Sequence, residues 1–209
     1  MLDNYEITSS RIIKQIDKVP FLYGYDYSNT YNKLEELGMY MSYLRLGYIV
    51  GSIGHIPSSI LDVGYGNGTF LKVASNIVPS CYGNDVTKEY TIPENCSFVD
   101  DIYAQKFEVV CFFDVLEHFE NIYDIRELKA DYVVISLPHC HNFTDAWFES
   151  WKHRKPNEHL WHFNAESLIS FMKELNYTVV NLTNIEDVIR KNNKDYSNIL
   201  TGVFKKSDL

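Results

Sequence analysis

Residues 59–74 read SILDVGYGNGTFLKVA: a short apolar run, glycines at 64, 66 and 68, then an apolar set at Phe70, Val73, Ala74 and Ile77. The run before the glycines is strand-like, and the set after them has the i, i+3, i+4, i+7 spacing of a helix. Glycine has no Cβ, so it accepts positive φ and lets another group approach the backbone closely. A strand joined to a helix by three alternating glycines is a tight turn whose main chain is left bare, and it commits the chain to an α/β layering.

The rest of the sequence continues that pattern. Apolar or β-branched runs recur at 80–86, 97–101, 107–115, 131–138, 177–183 and 199–206, which with the first makes seven strand candidates. Several intervals are long enough for crossover helices, and Asn164 is placed to cap a helix with Leu168, Phe171, Met172 and Leu175 on one face. The spacing also predicts a helix over 28–52, with Tyr31, Leu34, Leu37, Met41, Leu44 and Tyr48 along one side. The expected fold is a seven-stranded, mostly parallel sheet with helices on both faces and a ligand crevice at the strand C-termini. With 209 residues the chain forms one domain, divided into a helical, lid-like segment over 1–54 and a core over 55–209.

A glycine turn after the first strand serves two ligand chemistries. In the dinucleotide fingerprint GxGxxG, the helix start cradles a pyrophosphate and the third glycine packs helix on strand. Here the spacing is Asp62-x-Gly64-Tyr65-Gly66-x-Gly68, and Asp85 follows the first glycine by 21 residues at the end of the second strand candidate. An acid there is placed to accept hydrogen bonds from ribose hydroxyls. The stretch FEVVCFFDVLEHFEN (107–121) and the later EHLWHFNAESLISFMKELNY (158–177) add two longer signatures.

Together these motifs resemble the class I S-adenosylmethionine-dependent methyltransferases of the small-molecule type, over about residues 55–206. The resemblance implies a Rossmann-like fold and S-adenosyl-L-methionine as cofactor. It implies that Asp62, Gly64, Tyr65, Gly66 and Gly68 form the turn against the methionine portion, that Asp85 takes the ribose, and that Val86 lies against the adenine. Asp101, with Ile102 beside it, faces the adenine amino group, Asp100 being the competing assignment. Asp114 sits beside the methionine portion, and Glu117 and His118 open the next helix. His118 is counted with the cofactor site, and Glu117 is read as an acid favoured by the helix dipole. Tyr65 departs from the small residue usual at its position, which would narrow the methionine end of the pocket or place a hydroxyl there. No NPPY or DPPY tetrapeptide follows the fourth strand, which counts against exocyclic amines of bases and protein amides as acceptors.

Five of the seven histidines, His139, His141, His153, His159 and His162, crowd into residues 139–162. Three readings stay open. One is acid/base chemistry, for which an imidazole suits a hydroxyl acceptor, with His139 and His141 preferred and His162 in reserve. Another is a metal site of His139, His141 and a downstream His or Glu158, but the spacing matches no standard ligand motif, so no metal is expected. The third is an aromatic cover in which Phe143, Trp147, Phe148, Trp151, Trp161 and Phe163 pack around the rings. Four tyrosines in FLYGYDYSNTY (21–31) suggest a lid, and KHRK (152–155) is either a steering patch for an anionic group or a solvated turn.

A formal net charge of −9 argues against a broad nucleic-acid surface. The cysteines at 81, 96, 111 and 140 show no paired spacing, and the chain has no signal-like start and no apolar run long enough for a membrane, so a cytoplasmic protein with reduced thiols is expected. The expected activity is methyl transfer to a small molecule, most plausibly onto a hydroxyl. The alternatives are methylation of a protein or RNA group, or a non-catalytic S-adenosylmethionine-binding partner subunit.

Overall fold

The computed structural model describes residues 3–20, 35–87, 90–191 and 194–207. Its elements in chain order are β1 (Tyr5–Ile7), β2 (Ile13–Gln15), α1 (Glu35–Ile53), β3 (Ser59–Val63), α2 (Thr69–Ala74), β4 (Ser80–Asn84), β5 (Cys96–Phe98), β6 (Phe107–Phe113), β7 (Ala130–Pro138), α3 (Asp145–Ser150), β8 (Trp161–His162), α4 (Ala165–Glu174), β9 (Tyr177–Thr183) and β10 (Ile199–Lys206). Short 3₁₀ turns occupy Leu116–His118, Ile122–Glu127 and Ile185–Val188.

The main sheet has the order β5-β4-β3-β6-β7-β10-β9. Strands β5, β4, β3, β6 and β7 pair in parallel, and β10 runs antiparallel to both β7 and β9. The seven expected strands are the seven observed. Chain order reverses between β3 and β6, and a crevice opens beyond the carboxyl ends of strands at such a point.

Both faces of the sheet are buried, so side chains alternate between two cores. Leu61, Val63, Val110, Phe112, Val133 and Ile135 face Leu168, Phe171 and Met172 of α4 and the turn carrying Ile122 and Ile125. Ile60, Val109, Cys111, Phe113 and Val134 face Leu46 and Ile49 of α1 and Phe70, Leu71 and Val73 of α2. Asn164 caps α4 as expected, accepting from Ser167 N while Ser167 Oγ accepts from Asn164 N.

Three local expectations change. The N-terminal segment is not purely helical: β1 and β2 form a hairpin, and β2 pairs with β8 to complete a three-stranded antiparallel sheet. Three-residue strands are too short to show alternation, and the partner strand lies far along the chain. Helix α2 ends at Ala74, leaving Ile77 exposed. In α1 the buried residues are Met41, Leu46, Tyr48 and Ile49, whereas Leu37 is exposed. The tyrosine-rich stretch at 21–31 and residues 28–34 of the expected helix lie outside the described residues. Among the described residues, no helix is long and apolar enough to cross a membrane, and all four cysteines are free thiols.

The glycine turn is held against the next loop. Gly64 has φ +73°, and a Cβ built there would come within 2.5 Å of Val115 Cγ2. Gly66 has φ +52°, but a Cβ there would meet nothing within 4 Å. Gly64→Ala therefore combines a left-handed backbone with overpacking and is expected to cost about 2–4 kcal/mol. Gly66→Ala should cost only about 1 kcal/mol, from the backbone alone. Urea unfolding midpoints of the two variants check the difference.

Candidate active site

The turn between β3 and α2 hangs from β4. The Gly64 and Tyr65 amides both donate to Asn84 O, at 2.7 and 3.3 Å. Asp85, the next residue, accepts from Gly66 N at 3.0 Å through Oδ2 and from the Thr87 amide and hydroxyl through Oδ1. The carboxylate is thereby fixed at the strand end, half-buried, with one of its two backbone partners, Gly66 N, on the glycine turn itself. Asp101 is exposed and accepts from Tyr103 N, its neighbour Ile102 is buried, Asp100 is also exposed, and Val86 is open to solvent. Tyr65 does not reach toward the end of β6: its ring packs against Gly83 and Phe98, and its hydroxyl donates to Tyr90 O at 2.7 Å. Only its backbone belongs to the turn. A groove of about 680 Å³ on the outer flank of α2, bordered by Lys72 and Pro93, includes none of these carboxylates.

Two acids lie on either side of the turn in opposite electrostatic states. Asp62 in β3 is 3% exposed, and burial raises its pKa to about 7, with Asp85 adding to the rise and Arg45 opposing it. Asp114 follows β6 with φ +57° and receives both Arg190 (2.7 Å) and Arg45 (3.3 Å). Burial acts to raise its pKa, but the two guanidiniums prevail and hold it near 2. The same arginines bind Glu186, which is fully buried, at 2.7 Å from Arg45 and 3.2 Å from Arg190. Arg45 comes from α1, lies over the Phe113 ring at 4.2 Å, and reaches the site from the opposite end of the chain from Arg190. Glu186 and Arg190 are an i, i+4 pair, but no local sequence pattern could have joined them to residues 45 and 114.

The histidines separate into three groups. His139 and His141 stack at 4.0 Å just beyond β7. His139 Nδ1 accepts from the Ser197 hydroxyl (2.9 Å) and the Asn184 amide (3.3 Å), so its proton sits on Nε2. Burial, with His141 beside it, lowers its pKa to about 4. His141 donates from Nε2 to Ser197 O at 2.9 Å, which leaves its lone pair on Nδ1. His162 is packed into the small sheet against Tyr5, Phe148 and Trp151, 3% exposed, with its pKa lowered to about 3 by burial. This is a ring packed under the aromatic cover, the third of the arrangements that the sequence left open. His118 and His159 form the third group, edge to face at 4.7 Å, beside Glu117.

Glu117 also departs from its expected role. It lies in a single 3₁₀ turn, is 1% exposed, and neither of its carboxylate oxygens finds a hydrogen-bond partner on another residue. A solvated acid at a helix start would have neither property. The basic stretch 152–155 is divided: Lys152 and Lys155 are exposed, whereas Arg154 lies over the rings of Tyr5 and Phe148, and His153 Nε2 meets Asn198 Oδ1 at 2.9 Å.

A family profile described as "Methyltransferase domain" matches residues 42–182, well over half of the chain. The chain belongs to the methyltransferase domain family. A search of curated protein sequences found no match. Among solved structures, the Burkholderia thailandensis 1,6-didemethyltoxoflavin-N1-methyltransferase, bound to 1,6-didemethyltoxoflavin and S-adenosylhomocysteine, superposes with a TM-score of 0.58 and 13% identity, covering 98% of this chain and 100% of its own. The plantazolicin methyltransferase BpumL, in complex with a substrate analogue and S-adenosylhomocysteine, gives 0.60 and 14%, covering 88% and 91%. The Synechocystis PCC 6803 magnesium protoporphyrin IX methyltransferase gives 0.55 and 12%, covering 90% of each chain. At these identities the likeness is one of fold.

The ion pairs of the methyltransferase domain set its acid limb. The folded pKa of Asp114 lies below the ordinary carboxylate value of about 3.9, so its contribution is fully present above that value and is lost as pH falls toward 2. The difference corresponds to about 2 kcal/mol. In Asp114→Asn the fall in unfolding free energy between pH 5 and pH 2 should be shallower by about that amount, as measured by urea titration at each pH.

Proposed function

We propose that this methyltransferase uses S-adenosyl-L-methionine and transfers its methyl group to a hydroxyl of a small molecule. The observation that supports the reading most is the carboxylate of Asp85, fixed at the end of β4 by Gly66 N, at the position where a ribose diol would be received. Around it, the bare turn of Gly64, Gly66 and Gly68 takes the methionine portion, with Asp62 and Asp114 on its two sides. Val86 and Ile102 flank the adenine, Asp101 faces its amino group, and His118 closes the methionine end.

Methyl transfer is an in-line displacement at an activated sulfonium, so alignment supplies most of the rate and a base is needed only for the hydroxyl proton. His141 is the proposed base because its tautomer leaves Nδ1 able to accept, whereas the Nδ1 of His139 is already occupied. His139 serves as a positioning residue through the stack. A small acceptor is consistent with the acidic charge and with an aromatic cover closing over the strand ends, and cytoplasmic localisation with reduced thiols fits the same reading.

S-adenosylhomocysteine at about 100 times its Kd should stabilise the fold by about 2.7 kcal/mol, read as a rise in melting temperature that NAD does not produce. Asp85→Ala should weaken that binding by about 1.5–3 kcal/mol, and an unchanged affinity would move the ribose site elsewhere.

With an acceptor in hand, His141→Gln should lower kcat by about 10²–10⁴ while leaving S-adenosylhomocysteine affinity intact. His139→Gln should cost far less. Equal losses in both variants, or none in either, would remove His141 as the base.

A further inference from the structure

Glu117, His118 and His159 each place one ligand atom within 4.8 Å of the other two. We propose that these three residues form a site for a first-row transition-metal dication such as Zn²⁺, beside the glycine turn. The expectation that no metal is bound was drawn from the spacing of His139, His141 and a downstream His or Glu158, whereas the fold brings His159 to Glu117 and His118 instead.

Several independent features point to a ligand. Glu117 and His159 are 1% and 5% exposed, yet neither the carboxylate oxygens of Glu117 nor Nδ1 of His159 find a hydrogen-bond partner on another residue. A buried acid without a partner is costly, and a bound cation supplies what is missing. His118 donates from Nδ1 to the backbone carbonyl of Glu158 at 2.9 Å, which fixes the tautomer with its lone pair on Nε2. Metal-ligating histidines are oriented in this way by a carbonyl on the other ring nitrogen. The frame is rigid: Leu160 N donates to Glu117 O at 2.8 Å, and Trp161 Nε1 donates to Phe119 O at 2.7 Å, so the segment leading from His159 into β8 is strapped along the turn that carries Glu117 and His118.

Two imidazoles and one carboxylate suit zinc and its neighbours rather than Mg²⁺ or Ca²⁺, and three protein ligands leave a position open. The location gives that open position a use. Val115, two residues before Glu117, is the side chain that Gly64 approaches, so the cluster adjoins the turn proposed to hold the methionine portion. Resting on the methyl-transfer reading, the cation would coordinate the acceptor hydroxyl and lower its pKa, the proton passing to His141. The oxygen then forms a C–O bond to the methyl carbon as the C–S bond breaks, and that electron pair stays on sulfur, leaving neutral S-adenosylhomocysteine.

The test is metal binding itself, with tag-free protein stripped by a chelator and titrated with Zn²⁺ and, for visible absorption, Co²⁺. One equivalent should bind, with Co²⁺ bands of low coordination number and a raised melting temperature. Glu117→Gln, which keeps the buried shape, and His159→Gln should each weaken binding by 10-fold or more. S-adenosylhomocysteine affinity should stay within about threefold in both variants, which separates failure of this site from failure of the cofactor reading. Absence of binding by either ion at millimolar concentration overturns the proposal. So does one equivalent that survives both substitutions and is lost in His139→Gln or His141→Gln.

Discussion

Two arginines and two acids, locked together where α1, β6 and the chain after β9 converge, hold the site in its shape. Arg45 and Arg190 each contact Asp114 and Glu186, giving a charge-balanced group in which every member touches two of opposite sign. Burying a carboxylate without a partner is costly, and Glu186 has two guanidiniums against it. The arrangement also fixes the left-handed backbone of Asp114, a conformation that needs surrounding structure to sustain it. The turn after β6, and with it Val115, Glu117 and His118, is aimed by that constraint.

The main sheet was legible because each of its strands is a dense apolar run buried on both faces, and such runs leave little choice of element. Asn164 and the stripe Leu168, Phe171, Met172 and Leu175 were legible for a similarly local reason, a cap followed by one helical face. The hairpin of β1 and β2 was not, since its register with His162 and Trp161 is set by tertiary pairing. The glycine turn and Asp85 could be placed by spacing alone because both belong to consecutive strand ends.

The histidines show where local reading stops. Five rings crowded into one stretch of sequence looked like a single feature, but the fold sends His139 and His141 to the end of β7, His162 into the small sheet, and His159 across to His118. In His139, His159 and His162 burial, more than neighbouring charge, lowers the pKa. Glu117 could be misread for the converse reason: its position in the chain suggested a solvated helix start, and only the strap from Leu160 reveals that it is enclosed.

The stretch between β7 and α4 begins and ends at one place. His139 bridges Phe163 in parallel, and Cys140 N donates to Phe163 O at 2.8 Å, so residues 140–162 leave the sheet and return through a single clasp. A loop closed at its base can lengthen, shorten or change composition with small entropic consequence for the frame beneath. Because β8 within that loop pairs with β2, the excursion and the N-terminal hairpin form one roof, strapped at its return to the turn after β6. Divergence among proteins built on this frame can therefore proceed by exchanging roofs, with the hairpin and the loop changing together and the strand ends below left as they are.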